Sequence, residues 1–403
     1  MAAEERLSEV DVKLIGNRGS GSWVRYVVPA CLVLCCGICL WARSATTEVS
    51  DAKADSQAGS GQSTRSQKAV IELQKWYAPP TGIYRSTGWW NSANAITTLA
   101  NYSRLTHSRV YLPIFANTLE MAQKGADGAP GFLNKYYDDE GWWALAWIDV
   151  YDLTGEARYL QQAASIFKDM QLGWEDDTCG GGVWWSKDKK DKNAIENELF
   201  LSVAASLANR ETDKAIRDTD LSWMRREWQW FRDSGMINQS HLINDGLETS
   251  SPAHCVNNGK RTWTYNQGVI LGGIVEMSRA EQRAGHPDPT LIKLAEAIAG
   301  AAMERLKDKH GALGEPDDAH DGADVPQFKG IFVRNLMLLN SSSPIRDYRK
   351  FIDTNAELIW SNDRNSNDQL GFWWGGPFDL ADAARQSSAL DLLIAADALV
   401  RKY

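Results

Sequence analysis

Two adjacent carboxylates stand between tyrosines and tryptophans in the run YYDDEGWW at residues 136–143. Cleavage of a glycosidic bond needs two carboxyl groups: one protonates the leaving oxygen, and the other attacks the sugar or activates water. Side chains of consecutive residues leave the backbone about 5–6 Å apart, close to the ~5–5.5 Å that suits retaining hydrolysis. The sequence therefore offers Asp138 and Asp139 as a candidate catalytic pair for retaining chemistry.

Paired acids also have simpler explanations, because an Asp before a helix commonly caps its first turn. Asp176-Asp177 precede a glycine turn, where Asp bonds its own backbone. Asp317-Asp318 lie in a polar loop, where a calcium site matches no defensible ligand pattern. Glu140 is a third candidate acid, equally explained as a first-turn residue stabilised by the helix dipole. Only Asp138-Asp139 combine flanking aromatics with the start of a helical pattern.

Aromatic and polar side chains near glycines are candidates for sugar contacts. The chain has 18 tryptophans, several in doublets, which either stack on sugar faces or fill the core. The amides of Asn266 and Gln267 either bond sugar hydroxyls or satisfy the backbone of a helix N-terminal turn. Lys329 and Arg334 either bind substrate or pair with acids of the fold. The predicted substrate-binding residues are Trp89, Asn91, Tyr137, Trp142, Trp143, Trp184, Trp185, Tyr265, Asn266, Gln267, Lys329 and Arg334.

The elements that must position these residues are helices. About twelve segments have helical apolar spacing, and strand-like alternation is scarce. They lie near 68–78, 89–105, 110–124, 141–153, 156–171, 194–210, 213–233, 267–284, 288–308, 328–340, 345–361 and 379–401. Six aromatic-glycine loops punctuate them, a repeat typical of stacked helix pairs. We predict an all-α (α/α)₆ barrel whose loops converge on one groove.

The N-terminal part has a different composition. Residues 1–25 form a polar leader or cytoplasmic segment, and the 26–42 stretch is apolar, short for a membrane span and slightly long for a signal-peptide core. The polar leader favours an uncleaved signal anchor, although Ala42-Arg43-Ser44 offers a cleavage site. Residues 43–67 are predicted to be a flexible stalk and 68–403 the catalytic domain. We expect a membrane-tethered protein with a lumenal or extracellular domain, or a secreted one after cleavage.

Cysteine usage and glycosylation motifs agree with the secretory route. Beyond the apolar stretch only Cys179 and Cys255 remain, which predicts one disulfide, the alternative being two buried thiols. Acceptor motifs for N-glycosylation occur at Asn101, Asn238 and Asn340.

Composition excludes several other functions. The net charge is −9, and no basic stripe is interleaved with aromatics, so nucleic acid is not an expected partner. The six histidines have no metal-ligand spacing, so we predict no metal site. No phosphate-binding or dinucleotide fingerprint is present, and we expect no cofactor and a monomeric catalytic domain.

The motifs together resemble those of glycoside hydrolase family 76, the endo-α-1,6-mannanases, particularly its fungal members. The resemblance rests on YDDEGWWALAW at 137–147, GWWNSAN at 88–94, CGGGVWW at 179–185 and YNQG at 265–268, and covers about residues 68–400. It implies an (α/α)₆ barrel that cleaves α-1,6-mannoside bonds with retention. By the same resemblance, Asp138 would be the nucleophile and Asp139 the general acid/base; spacing alone does not assign these roles.

Three alternatives remain open. Fungal relatives implied by the resemblance include cell-wall transglycosidases that act on lipid-anchor mannose glycans, but these carry a C-terminal anchor signal, whereas this chain ends in a helical pattern. A different (α/α)₆ enzyme, such as an epimerase or an unsaturated-uronyl hydrolase, is a second alternative; an epimerase would be expected to place histidines in the barrel mouth. A non-catalytic mannan-binding protein on the same fold is the third.

Overall fold

Twelve α-helices and two short hairpins are found in the residues that the computed structural model describes, 64–125, 130–320, 322–343 and 348–401. Strand β1 (Tyr77–Ala78) pairs with β2 (Ile83–Tyr84), and β3 (Leu247–Glu248) with β4 (Val256–Asn257), both antiparallel. The helices are α1 Arg65–Gln74, α2 Trp89–Thr106, α3 Leu112–Ala122, α4 Tyr137–Thr154, α5 Ala157–Met170, α6 Ala194–Arg210, α7 Lys214–Asp233, α8 Thr264–Ala284, α9 Pro289–Arg305, α10 Phe328–Ser342, α11 Arg349–Asn362 and α12 Ala383–Arg401.

The even-numbered helices close into a ring. Each of α2, α4, α6, α8 and α10 packs against the next even-numbered helix, and α12 packs back against α2. Odd-numbered helices lie outside this ring, with α5 against α4 and α6, α7 against α6, and α9 against α8. The predicted all-α (α/α)₆ barrel is therefore confirmed.

Side-chain size and polarity separate inner from outer helices. The inner helix α6 is buried without interruption from Ala194 to Ala208, whereas the outer helix α7 buries one face that includes Leu221, Met224 and Phe231. Glycine lets inner helices approach closely: a Cβ at Gly268 of α8 would lie 2.6 Å from the Phe332 backbone of α10. Small residues on the inner ring thus bring six helix N-termini close together.

A repeated hydrogen bond ties the loops to the inner helices. In five of the six inner helices, the side chain of the fourth residue accepts a backbone N–H from the preceding loop, at 2.7–3.2 Å. The acceptors and donors are Ser92 and Tyr84, Glu140 and Asn134, Asn197 and Val183, Gln267 and Ile243, and Gln386 and Leu370. Each loop is thereby fixed relative to the helix that follows it.

Several element boundaries differ from the predicted ones by up to four residues, and two of these differences have a clear local cause. The first described helix begins at Arg65 instead of 68, because the Thr64 side chain caps it by accepting the Gln67 N–H. Helix α4 begins at Tyr137 instead of 141, so three acids occupy its first turn, where the helix dipole favours them.

The predicted segments 1–25 and 26–42, and the stalk up to residue 63, lie outside the described residues. Within the described ranges, no helix combines the length and apolar character needed to cross a membrane.

The predicted disulfide is present. Cys179 and Cys255 are bonded, with their Cα atoms 5.1 Å apart, and join the loop before α6 to the β3–β4 hairpin. The glycosylation motifs remain predictions: all three asparagines are half-buried, Asn101 in α2, Asn340 in α10, and Asn238 in a loop where its amide donates to Asn244.

Candidate active site

The N-terminus of α4 carries the carboxylate pair. The preceding residue, Tyr136, has an extended backbone and forms an antiparallel bridge with Ser186. Beside this bridge, the Tyr137 N–H donates to the Trp185 carbonyl at 3.0 Å. This pairing fixes the direction in which α4 starts. Asp138 and Asp139 therefore project from a helix end whose free N–H groups favour negative charge.

Asp138 lies against Trp185. Burial raises the pKa of Asp138 to about 7, opposed by a hydrogen bond from the Trp185 side chain and by backbone N–H groups. Its Oδ1 atom is buried, with no hydrogen-bond partner among the described residues. An unpaired carboxylate oxygen of this kind can act as a nucleophile toward a bound sugar.

Asp139 is held by Asn134. The Asn134 Nδ2 atom donates to Asp139 Oδ2 at 2.5 Å. Burial and the neighbouring Asp138 charge raise the pKa of Asp139 well above its ordinary value, and the Asn134 hydrogen bond opposes that rise. Two close carboxyls cannot both ionise readily, so the pair retains a proton near neutral pH, as a general acid requires.

Glu140 has its own partners outside this pair. Its side chain is fully buried, lies 2.8 Å from the Lys187 Nζ atom and accepts a hydrogen bond from the Asn134 N–H at 3.2 Å. Lys187 also contacts Asp169 of α5 at 2.7 Å. Burial raises the pKa of Glu140 to about 8, opposed by Lys187. Glu140 therefore fixes the loop that contains Asn134.

Two acids that the sequence did not single out lie near the site: Asp324 acts on both aspartates, and Asp245 acts on Tyr265. Asp324 is exposed, accepts the Trp90 indole N–H at 2.7 Å, and raises the pKa of both Asp138 and Asp139. Asp245 is half-buried, and burial raises its pKa, opposed by Lys260. Asp324 lies three residues before the aromatic-glycine loop at 327–330, a sequence signal that could have marked it, whereas Asp245 has no such signal nearby.

Aromatic rings line the site beside these acids. Trp90 stacks on Trp142 at 5.4 Å, and Tyr265 stacks on Phe328 at 3.9 Å between ring centroids. Trp263 meets the Phe328 ring edge-on at 5.5 Å. Tyr265 also interacts electrostatically with Asp138. Tyr265 and Trp185 of the predicted set therefore lie at the pair, whereas Trp90, Trp263 and Phe328 were missed.

Several predicted stacking residues are instead core residues. Trp89 and Trp143 are 7% and 0% exposed and pack with Phe132 in an aromatic cluster. Trp142 is 3% exposed and backs the Trp90 ring. Trp184 is 8% exposed and lies beneath the Lys192 ammonium, at 4.8 Å. Tyr137 is also buried, with Lys187 over its ring. These rings support the site from below.

The predicted amides divide in the same way. Asn91 is fully buried and accepts the Gly88 N–H at 3.1 Å as part of the α2 cap. Gln267 exchanges hydrogen bonds with the Ile243 backbone at 2.8 and 2.9 Å, so it anchors a loop. Asn266 is fully buried and lies beside Asp245, whose pKa it lowers. Only Asn266 interacts with an acid of the site.

The two predicted basic residues have structural partners. Lys329 is 2% exposed, donates to the Phe372 carbonyl, and lies 4.0 Å from the Phe372 ring centroid. Arg334 pairs with Asp391 at 3.1 Å and donates to Asn94. Lys329 thus holds the 371–374 aromatic loop, and Arg334 lies inside the barrel beneath Trp142.

A cavity of about 500 Å³ extends from Trp142 and Arg334 toward the C-terminal ends of the inner helices. Its charged lining residues pair with one another: Arg104 with Asp149, Arg210 with Asp152 and Glu276, Arg279 with Glu276, and Arg334 with Asp391. Guanidinium groups at helix C-termini also offset the helix dipoles, so this lining has a structural explanation.

Comparison with known proteins places the chain in one family. The family model described as "Glycosyl hydrolase family 76" matches residues 63–401. The curated relative mannan endo-1,6-alpha-mannosidase DFG5 of Saccharomyces cerevisiae is 27% identical over 302 residues, which cover 70% of this chain and 64% of that protein. Mannan endo-1,6-alpha-mannosidase DCW1 of Candida albicans is 27% identical over 46% of this chain and 43% of its own length. The matches thus span less than two thirds of these relatives.

Solved structures share the fold. One is an inactive variant of the α-1,6-mannanase GH76A of Salegentibacter sp. HEL1_6, in which two adjacent aspartates are changed to alanine and α-1,6-mannotetrose is bound. It superposes with a TM-score of 0.73 at 23% identity, and the match covers 83% of this chain and 98% of that one. Dfg5 from Chaetomium thermophilum, in complex with glucosamine, gives 0.68 at 18% identity, covering 84% and 90%.

Proposed function

The chain belongs to glycosyl hydrolase family 76, and we propose that it is a retaining endo-α-1,6-mannosidase that acts on α-1,6-mannan backbones. The observation that carries the proposal is the Asp138-Asp139 pair at the N-terminus of α4, with both pKa values raised. The curated relatives bear the name mannan endo-1,6-alpha-mannosidase, and the Salegentibacter enzyme is inactive when two adjacent aspartates are replaced.

The proposed reaction has two steps. Ionised Asp138 attacks the anomeric carbon as the bond from that carbon to the glycosidic oxygen breaks, and Asp139 gives its proton to the leaving oxygen. Asp139, now a carboxylate, then takes a proton from water, whose oxygen attacks the anomeric carbon and releases Asp138. If a sugar hydroxyl replaces water, the same steps transfer the glycan instead.

The residues proposed to bind substrate are those beside the pair. Trp90, Trp185 and Tyr265 offer aromatic faces, and Asp324 and Asp245 offer acceptors for sugar hydroxyls. The buried residues Trp89, Trp143 and Gln267 would act indirectly, by holding these groups in place.

We further propose that the protein follows the secretory pathway and is tethered through the 26–42 stretch. The disulfide and the three glycosylation motifs support an oxidising compartment. Transfer of a mannose glycan to a wall polysaccharide remains the second candidate activity, favoured if an acceptor sugar outcompetes water.

The test is incubation of the full-length protein with α-1,6-mannan oligosaccharides, with products followed by mass spectrometry and proton NMR. We expect shorter α-configured products, and no turnover by Asp138→Asn. Asp220→Asn, which alters a buried aspartate of the outer helix α7, should retain activity. Undiminished turnover by Asp138→Asn would remove the assigned nucleophile. Tight binding with no product from the unaltered protein would favour a mannan-binding protein.

A further inference from the structure

Asn134 is held at three points just ahead of the carboxylate pair. Its backbone N–H donates to Glu140, its Oδ1 accepts the Tyr136 N–H at 2.7 Å, and its Nδ2 donates to Asp139 Oδ2. The residue is half-buried, so these bonds are partly shielded from solvent. The backbone N–H and both polar atoms of the Asn134 side chain therefore have defined partners.

These contacts fix the direction of the side-chain amide. A backbone N–H can only donate, so the atom that faces Tyr136 must be the carbonyl oxygen, and the NH₂ group must face Asp139. A flipped amide would set two donors together at Tyr136 and two acceptors together at Asp139. The Asn134 NH₂ group consequently donates to Asp139 Oδ2 whether Asp139 is protonated or ionised.

A carboxylic acid that receives a donor at one oxygen keeps its proton on the other oxygen more readily. We propose that Asn134 is a positioning residue that directs the transferable proton of Asp139 to Oδ1. Oδ1 is the oxygen that Asn134 leaves free to protonate the glycosidic bond. This inference rests on the proposed function for its catalytic meaning. The orientation of Asn134 itself follows from the contacts alone.

The support for Asn134 reaches beyond its own loop. Glu140 occupies the loop-anchoring fourth position of α4, and among the five anchoring side chains it is the only carboxylate. Lys187 holds Glu140 and links it to Asp169 of α5. These contacts to the fully buried Glu140 keep the Asn134 backbone fixed while the neighbouring carboxyl changes protonation state.

The decisive variant is Asn134→Asp, which keeps the shape and the acceptor for Tyr136 but replaces the donor to Asp139 with a carboxylate oxygen. Two facing carboxyls share one proton between them, so the proton leaves Oδ1 and the pKa of Asp139 rises. We expect kcat to fall by about tenfold or more with KM little changed, and the basic limb of the pH profile to move up by about one pH unit.

Asn134→Ser serves as the second variant, because its shorter side chain lacks the amide NH₂ group that reaches Asp139 and adds no charge. It should move the basic limb in the same direction and by less. The matched control is Asn117→Asp in the outer helix α3, where a half-buried amide also makes two hydrogen bonds. The control should leave both limbs and kcat unchanged.

A purely structural role would lower activity equally at every pH and leave the limbs in place, and that result would overturn the proposal. The titration of Asp139 can also be followed without substrate by carbon-13 carboxyl NMR, with the signal assigned from Asp139→Asn. An unchanged Asp139 titration in Asn134→Asp would also overturn it. If the unaltered protein turns over no mannan, the proposed function fails, and the NMR result still decides the role of Asn134.

Discussion

Asp138 and Asp139 are chemically alike but have different neighbours. Trp185 donates to Asp138, and backbone N–H groups at the start of α4 add to this, so the charged form of Asp138 is favoured relative to Asp139. Asp139 is subject to the charge of Asp138 in addition to its own burial, which favours its protonated form. The two environments support the proposed roles of Asp138 as nucleophile and Asp139 as general acid, which the family resemblance implies.

This difference predicts the pH dependence of kcat/KM. Activity should fall below about pH 7, where Asp138 becomes protonated, and again at higher pH, where Asp139 loses its proton. Trp185→Phe removes a donor that stabilises ionised Asp138, so the acid limb should move to higher pH. Initial rates on α-1,6-mannan oligosaccharides across the pH range measure both limbs.

The control for this change is Trp360→Phe in the outer helix α11, where the indole stacks under Arg364 away from the pair. The control should leave the acid limb in place. An acid limb that stays fixed in Trp185→Phe would show that Trp185 does not set the charge of Asp138.

At the scale of the elements, the fourth residue of five of the six inner helices binds the preceding loop. Gln267 of α8 and Gln386 of α12 both accept a loop N–H, from Ile243 and Leu370, and both donate to backbone carbonyls. Buried amides satisfy the backbone of loops that have little regular structure of their own. The active-site loops are therefore held by the ring of helices that they cover.

We therefore predict that Gln267→Met destabilises the fold by about 2–4 kcal/mol, because it leaves buried Ile243 backbone groups unpaired. Gln386→Met, the matched change in α12, should cost a similar amount. Urea denaturation of both variants measures the two free energies of unfolding. A stable Gln267→Met protein with a raised KM would instead indicate that Gln267 binds substrate directly.

At the scale of the whole molecule, several carboxyl groups are buried within the described part of the barrel. Burial raises the pKa of Asp220 and Glu315 to about 7, and of Asp363 to about 8. In the unfolded chain these groups have their ordinary values near 4. Between pH 4 and pH 8 the folded state thus holds more protons than the unfolded state.

Because the folded state binds more protons in this window, stability should decrease as pH rises from about 4 to about 8. Each such group contributes at most about 1.4 kcal/mol per pH unit within its own window. The melting temperature should therefore be higher at pH 5 than at pH 8. Asp220→Asn should flatten this dependence between about pH 4 and pH 7, and equal melting temperatures for the unaltered protein would contradict the prediction.

The sequence alone determined the helical repeat, the barrel and the carboxylate pair. Local spacing was sufficient for these: the apolar positions of the twelve helices recur every three to four residues, and Asp138-Asp139 stand next to each other in the chain. The disulfide followed because Cys179 and Cys255 were the two cysteines left in the domain. Each of these features is encoded by residues that are adjacent, periodic or few.

Only the tertiary structure decided which aromatic and polar residues meet the pair. Trp89 and Trp90 are neighbours in sequence, yet the helix turns one into the core and the other toward Asp324. Asp324 lies 186 residues beyond Asp138, and ring closure brings it to the site. Asn134 gains its role from Glu140 and Lys187, contacts that no spacing encodes. The YDDEGWW run thus contains the proposed catalytic pair, whereas the different environments of its two aspartates exist only in the closed barrel.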